Sequence, residues 1–177
     1  MKKIKVKKHY EILAVDNYFC IDGAFIIHKD YIQLDNPILD QLLREHTSAR
    51  WNDTTQQVLE IEKPSNWTGI VPSYKDDSYL PMFETGLFFE MNKVKYQILK
   101  NDTDEKLELQ AINGVWLKEY LPSNNIYYNS NRTQFTIWNK DELIALIMPC
   151  SMNRVFITNM KDEINRYRQL EKMKIGA

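Results

Sequence analysis

Tyr18-Phe-Cys-Ile-Asp-Gly-Ala-Phe-Ile-Ile-His28 places two runs of β-favouring residues on either side of Asp22-Gly23. Glycine supplies the positive φ that a tight primed turn requires, so the stretch predicts a β-hairpin, the strongest such signal in the chain. The surroundings agree with it. Residues 3–7 alternate Lys with Ile4 and Val6, the period-two pattern of a strand with one buried face, and residues 10–15 form a second candidate. After the hairpin, Asn36-Pro37 opens a helix. Asn36 can accept from the first unpaired N–H groups, and Pro37 fits the first helical position because its missing N–H costs nothing there. Ile38, Leu39, Leu42 and Leu43 supply its predicted apolar stripe, and the helix should fray at residues 46–48. Residues 56–62 read as another strand.

Residues 63–84 break this rhythm. Pro64, Pro72 and Pro81 forbid long regular structure, yet Trp67, Tyr74, Tyr79 and Phe83 make the segment too apolar for a bare linker. It reads as a long loop packed on the body, and the module boundary is placed within it, after residue 80. The second half is richer in strands, at 86–91, 94–100, 106–112, 125–129, 133–138 and 142–148, with a short helix expected over 115–121. Asn92-Lys93 turns the first pair. From residue 159 to 174, Met160, Ile164, Tyr167, Leu170 and Met173 recur at helical spacing with charged faces between them. The expected class is α+β: mainly antiparallel sheet, two short helices and a C-terminal amphipathic helix. The expected division is 1–80, a β/α module with its packed loop; 81–152, a β-rich module; and 153–177, the terminal helix.

Composition excludes several functions. In this chain of 177 residues, 23 Lys and Arg against 24 Asp and Glu leave a net charge of −1. A domain that binds nucleic acid by bulk charge is far more basic, so any DNA contact must come from local clustering. No run of 18 apolar residues occurs, and the basic start is followed by His9-Tyr10-Glu11 rather than an apolar stretch. The expectation is therefore a cytoplasmic protein with no membrane partner, in which Cys20 and Cys150 stay reduced. His9, His28 and His46 lie in no metal-ligand spacing, and Asp76-Asp77 and Asp102-Thr-Asp-Glu105 stand in predicted turns. No glycine-rich phosphate loop or G-x-S-x-G elbow occurs. No cofactor, metal or catalytic residue is expected, and the protein is read as a binder rather than an enzyme.

Two surfaces could bind. Lys3, Lys5 and Lys7 would share one face of the first strand, a candidate for sequence-independent DNA contact. Trp67, Tyr74, Tyr79 and Phe83 are candidate interface anchors, since Trp and Tyr dominate binding hot spots. The terminal stripe either closes the monomer core or pairs with its counterpart in a homo-oligomer.

Leu107-Glu-Leu-Gln-Ala-Ile-Asn-Gly-Val-Trp-Leu-Lys-Glu-Tyr-Leu121, followed by Thr133-Gln-Phe-Thr-Ile-Trp138 and Glu142-Leu-Ile-Ala-Leu-Ile-Met-Pro149, resembles the last module of DNA polymerase processivity clamps. In that family a strand leads through an Asn-containing cap into a short helix, then to strands that close on an apolar-Met-Pro motif. Asn113 stands at the cap here and Ile147-Met148-Pro149 at the close. The resemblance implies a curved antiparallel sheet, two modules of matching topology, helices lining a DNA-facing surface, and an apolar pocket for short peptides of replication proteins with Met148 and Pro149 at its edge. Ser151 stands where the family carries a basic residue, and a helix is appended. The implied function is that of a clamp-like accessory protein in DNA replication, of phage or small-replicon type, which binds DNA or a replication protein. The alternative is a small interaction or inhibitor protein that engages a host protein through the aromatic loop and terminal helix.

Overall fold

The computed structural model describes residues 2–5, 11–102, 107–113 and 125–175. The protein is α+β and mostly antiparallel sheet. Its strands are β1 (Lys2–Ile4), β2 (Ile12–Val15), β3 (Tyr18–Ile21), β4 (Phe25–His28), β5 (Ile32–Leu34), β6 (Ser48–Asn52), β7 (Gln57–Glu60), β8 (Tyr79–Met91), β9 (Val94–Asp102), β10 (Leu107–Asn113), β11 (Ile126–Asn129), β12 (Gln134–Asn139) and β13 (Glu142–Ile147). The helices are α1 (Pro37–Glu45), the single turn α2 (Trp67–Ile70) and α3 (Arg154–Ile175).

Tight turns set the hairpins. Asp22 and Gly23 adopt φ 53° and 63°, and Asn92 and Lys93 adopt 52° and 63°. These are the left-handed pairs that match the twist of the flanking strands. Eleven strands then run in one hydrogen-bonded order, β10-β9-β8-β11-β12-β13-β4-β3-β2-β6-β7, while β1 pairs with β5 in parallel outside it.

The order contains a repeat. In the first half β2, β3 and β4 form a meander, and after a crossover through β5 and α1 the chain returns so that β6 lies beside β2. In the second half β8, β9 and β10 form a meander, and β11 returns beside β8. The second crossover, with the helix expected over 115–121, lies outside the described residues. Three residue pairs of β13 and β4 join the halves, Ala145↔Ile27, Leu146↔Ile26 and Ile147↔Phe25, so the ladder continues across the joint. Past β13, Cys150 N–H donates to the Ala111 carbonyl on β10 at 2.8 Å. Since β10 and β13 stand five places apart in strand order, that bond requires a strongly curved sheet.

The sheet around the joint is covered on both faces, which explains continuously buried strands such as Phe25–His28. One face carries Phe19, Phe25, Ile27, Ala145 and Ile147 into a core shared with Leu39 and Leu43 of α1 and with Leu99, Ile126 and Phe135 of the second half. Alternation turns Cys20, Ile26 and Leu146 to the other face, where Trp67 of α2 covers them.

Helix α1 starts as its sequence dictates, with Asn36 Oδ1 accepting from Ile38 and Leu39 N–H at 3.1 and 3.2 Å. Its apolar stripe is narrower than expected. Leu39 and Leu43 are buried, whereas Ile38 is 73% and Leu42 39% exposed. The third buried residue of the helix is polar. Asp40 accepts from Leu34 N–H at 2.8 Å and from Arg44 Nε at 2.7 Å, which ties the helix to β5. Buried Lys29 reaches the Leu43 and His46 carbonyls at 3.4 Å each, favourable at the negative end of the helix dipole.

The reading of 63–84 as loop throughout needs correction. Trp67–Ile70 forms a helical turn, and β8 begins at Tyr79 with Pro81 inside it. Proline is tolerated because its backbone faces β9, whose pairing with β8 begins only at Phe83, so no ladder partner needs the missing N–H; its carbonyl accepts from the Asn101 side-chain amide at 2.7 Å. Strands β5 and β6 were not apparent in the sequence. β1 ends at Ile4, and residues 6 and 7 of the expected first strand lie outside the described residues; α3 begins at Arg154 rather than 159, with Asn153 Oδ1 accepting from Val155 N–H at 2.8 Å.

The two sides of α1 have different energetic weight. Leu43→Ala should lower unfolding stability by about 2–5 kcal/mol, the cost of a cavity at a buried leucine, while Ile38→Ala should stay within about 0.5 kcal/mol. Urea unfolding followed by far-ultraviolet circular dichroism measures both.

Candidate functional site

The chain leaving β13 forms one wall of a small notch. Met148 N–H donates to the Ala24 carbonyl at 2.9 Å, and two residues later Cys150 bonds to Ala111. Pro149 lies between and has no N–H to continue the pairing with the first half, so the chain changes partners there. Tyr96 of β9 and Asn113 of β10, paired in register, supply the opposing wall. The cavity measures about 190 Å³. That is below the roughly 300–1,000 Å³ of small-molecule sites and suits one or two inserted side chains. Met148 is 37% exposed at its edge.

An aromatic row supports this wall. The Tyr96 ring stacks on Phe89, with centroids 5.2 Å apart and planes 17° apart, and Phe89 meets Phe156 of α3 edge-on at 5.4 Å. The titratable groups of the notch stay neutral. Burial raises the Cys150 thiol, an effect partly offset by its hydrogen bond with Tyr96, and burial likewise raises the Tyr96 hydroxyl, with Cys150 adding to it. Burial pushes Cys20 up to about 11. A protonated thiol and hydroxyl beside an apolar edge suit the binding of an uncharged group.

The polar residues elsewhere fasten elements together. His28 Nδ1 accepts from Asp30 N–H at 3.3 Å, and Tyr31 donates to Glu142 at 2.8 Å while accepting from Asn139 at 3.1 Å. These contacts hold the turn after β4 against the β12–β13 hairpin. Among the described residues, no group of three His, Cys, Asp or Glu could share a metal ion, and no helix is long and apolar enough to cross a membrane.

The sequence-derived site residues divide among separate places. Met148 and Pro149 line the notch. Lys3 and Lys5 are exposed at β1, and Lys7 lies outside the described residues. Trp67 and Tyr79 are each 5% exposed: Trp67 packs on Val15, Cys20 and Ile26, and Tyr79 meets Trp138 edge-on at 6.1 Å. A buried ring offers no contact surface, so of the four aromatics only Tyr74 and Phe83, 67% and 56% exposed, face outward. Tyr96 was missed. Its place was accessible from the Asn92-Lys93 turn, because a two-residue turn pairs Met91 with Val94 and hence Phe89 with Tyr96.

Comparison with known proteins finds no family model that matches the chain, no matching curated protein and no matching solved structure.

The two thiols should separate kinetically. Alkylation at pH 8 should modify half-buried Cys150 first, and Cys20, 7% exposed and with its pKa near 11, only after unfolding. Peptide mass spectrometry over a time course checks the order.

Proposed function

We propose that the protein is a non-catalytic, clamp-like accessory of DNA metabolism, of phage or small-replicon type, that holds a short apolar peptide of a replication protein in the notch at Met148 and Pro149. The observation that carries this reading is the position of the notch. It lies where the closing strand leaves the sheet, at the junction of two halves with corresponding strand orders. Its size favours an inserted side chain, and its neutral lining favours an apolar one.

Two features mark how far the clamp analogy extends. The halves share one ladder through β13 and β4 instead of forming separate sheets. In addition, the exposed side of α1 carries Ile38, Gln41, Leu42 and Glu45, which is no basic lining for DNA. Any DNA contact is therefore assigned to the lysines of the first strand and to α3, whose Arg154, Lys161 and Arg166 accompany Asp162 and Glu163. The reading as a host-protein inhibitor acting through the aromatic loop is weaker, because Trp67 and Tyr79 belong to the core.

Titration with a fluorescein-labelled Leu-Leu-Phe peptide should raise its anisotropy and slow alkylation of Cys150. Met148→Glu should abolish both effects, since a carboxylate would be buried against the apolar ligand. No change in either signal, or an unchanged titration with the variant, counts against the notch as the site.

DNA retention, measured by filter binding, should fall steeply with salt. Replacing Lys3, Lys5 and Lys7 together by Gln should reduce the magnitude of the log–log salt slope by up to about 3, roughly 0.9 for each phosphate no longer neutralised. An unchanged slope excludes the first strand as the DNA-binding element.

A further inference from the structure

Strand β8 is used unequally along its length. Among the described residues, β11 pairs with it only over Tyr79–Met82, and from 83 to 91 its strand neighbour is β9 alone. Alternation identifies the groups at the other edge. Met91 and Val94 close the hairpin turn as a bonded pair, so the backbone N–H and C=O of Phe88 and Glu90 point away from β9. The Pro81 carbonyl turns toward Asn101 on β9, which directs those of Glu84 outward as well. Between them the strand bulges, with Gly86 at φ 76° and Thr85 Oγ1 accepting from Leu87 N–H at 3.0 Å.

Where β11 ends, this edge opens into a groove of about 450 Å³. Buried Met82 and Ile126 line it with half-buried Tyr127 and with Phe83, which is 56% exposed. Lys75 Nζ lies 4.0 Å from the centroid of the Tyr127 ring. Glu84 is the one charged residue in the lining, and Glu90 places a second exposed carboxylate six positions along the same edge. Phe88, between them, is 56% exposed and carries over its ring, 3.4 Å from the centroid, the ammonium of Lys95, the register partner of Glu90 on β9.

We propose that this groove and the β8 edge beyond it dock an extended peptide, added as a further strand, with apolar residues at alternate positions and an Arg or Lys opposite Glu84. Backbone bonds to the edge supply affinity for any extended chain, while the exposed rings and the carboxylates select the side chains. A nucleic-acid phosphate would meet Glu84 in the groove, so the chemistry disfavours it there, whereas Glu90 is offset by Lys95, its register partner on β9. A second copy added antiparallel about Leu87 would set its Glu90 against Glu84, a repulsive pair. The site shares no lining residue with the notch and does not depend on the function assigned there.

The test uses the full chain and two synthetic peptides, Ac-Thr-Val-Thr-Arg-Thr-Val-Thr-Val-amide, whose valines and arginine share one face, and its counterpart with Glu in place of Arg. In amide hydrogen exchange followed by NMR, the Arg peptide should slow the Phe88 and Glu90 amides and bind about threefold or more tightly than the Glu peptide, as expected for one cross-strand charge pair. Glu84→Arg should reverse that order, Glu84→Gln should abolish it, and Met148→Glu should leave it intact. Absence of protection by either peptide overturns the proposal, as does a preference unaltered in both Glu84 variants. Sedimentation showing a dimer that must dissociate before the peptide binds would make a second copy the occupant and equally overturn it.

Discussion

The pairing of β13 with β4 organises the molecule. Only three residue pairs form it, yet it joins strands from opposite halves of the chain, more than a hundred positions apart. Closing so long a connection is entropically costly, and the compensation comes from burial on both faces of the joint. Phe25, Ile27, Ala145 and Ile147 enter the large core on one side, and Ile26 and Leu146 meet Trp67 on the other. Polar contacts reinforce it from the edge, since Tyr31 and Glu142 bridge the same two segments.

The notch follows from how that pairing ends. Hydrogen bonding to the first half stops at Met148, Pro149 cannot donate, and Cys150 takes up bonding with β10. A chain that changes partners within three residues leaves a gap between the elements it serves. Here the gap is bounded by Tyr96 and Asn113, held in place by the β9–β10 register. The groove on β8 has a related origin. Strand β11 pairs over only four residues, so the longer β8 continues without it. Both candidate binding places are thus strand ends, where a sheet offers backbone groups and apolar side chains that its interior would consume.

The aromatic residues show why burial was hard to anticipate. Trp67 and Tyr79 stand in a Pro-rich stretch that resembles a surface loop, but Trp67 covers the outer face of the joint and Tyr79 starts a strand. Tyr74 and Phe83, from the same stretch and of similar hydrophobicity, remain outside. Local composition does not distinguish these pairs. What distinguishes them is whether a distant strand needs a cover at that position. The same holds in α1, where Leu39 and Leu43 meet the sheet while Ile38 and Leu42, equally apolar, do not.

Amino-acid order alone was enough for the local features: the Asp22-Gly23 and Asn92-Lys93 turns, the Asn36-Pro37 start of α1, most strands, the terminal helix and the α+β class. These depend on φ preferences, capping groups and side-chain period, all of which act within a few residues. Three-dimensional packing was needed to set β13 beside β4 and β1 on β5, to bring Tyr96 to the notch with Met148, and to let β8 outrun β11. Those are choices among strands with nearly interchangeable apolar patterns, and only the simultaneous packing of both sheet faces selects between them.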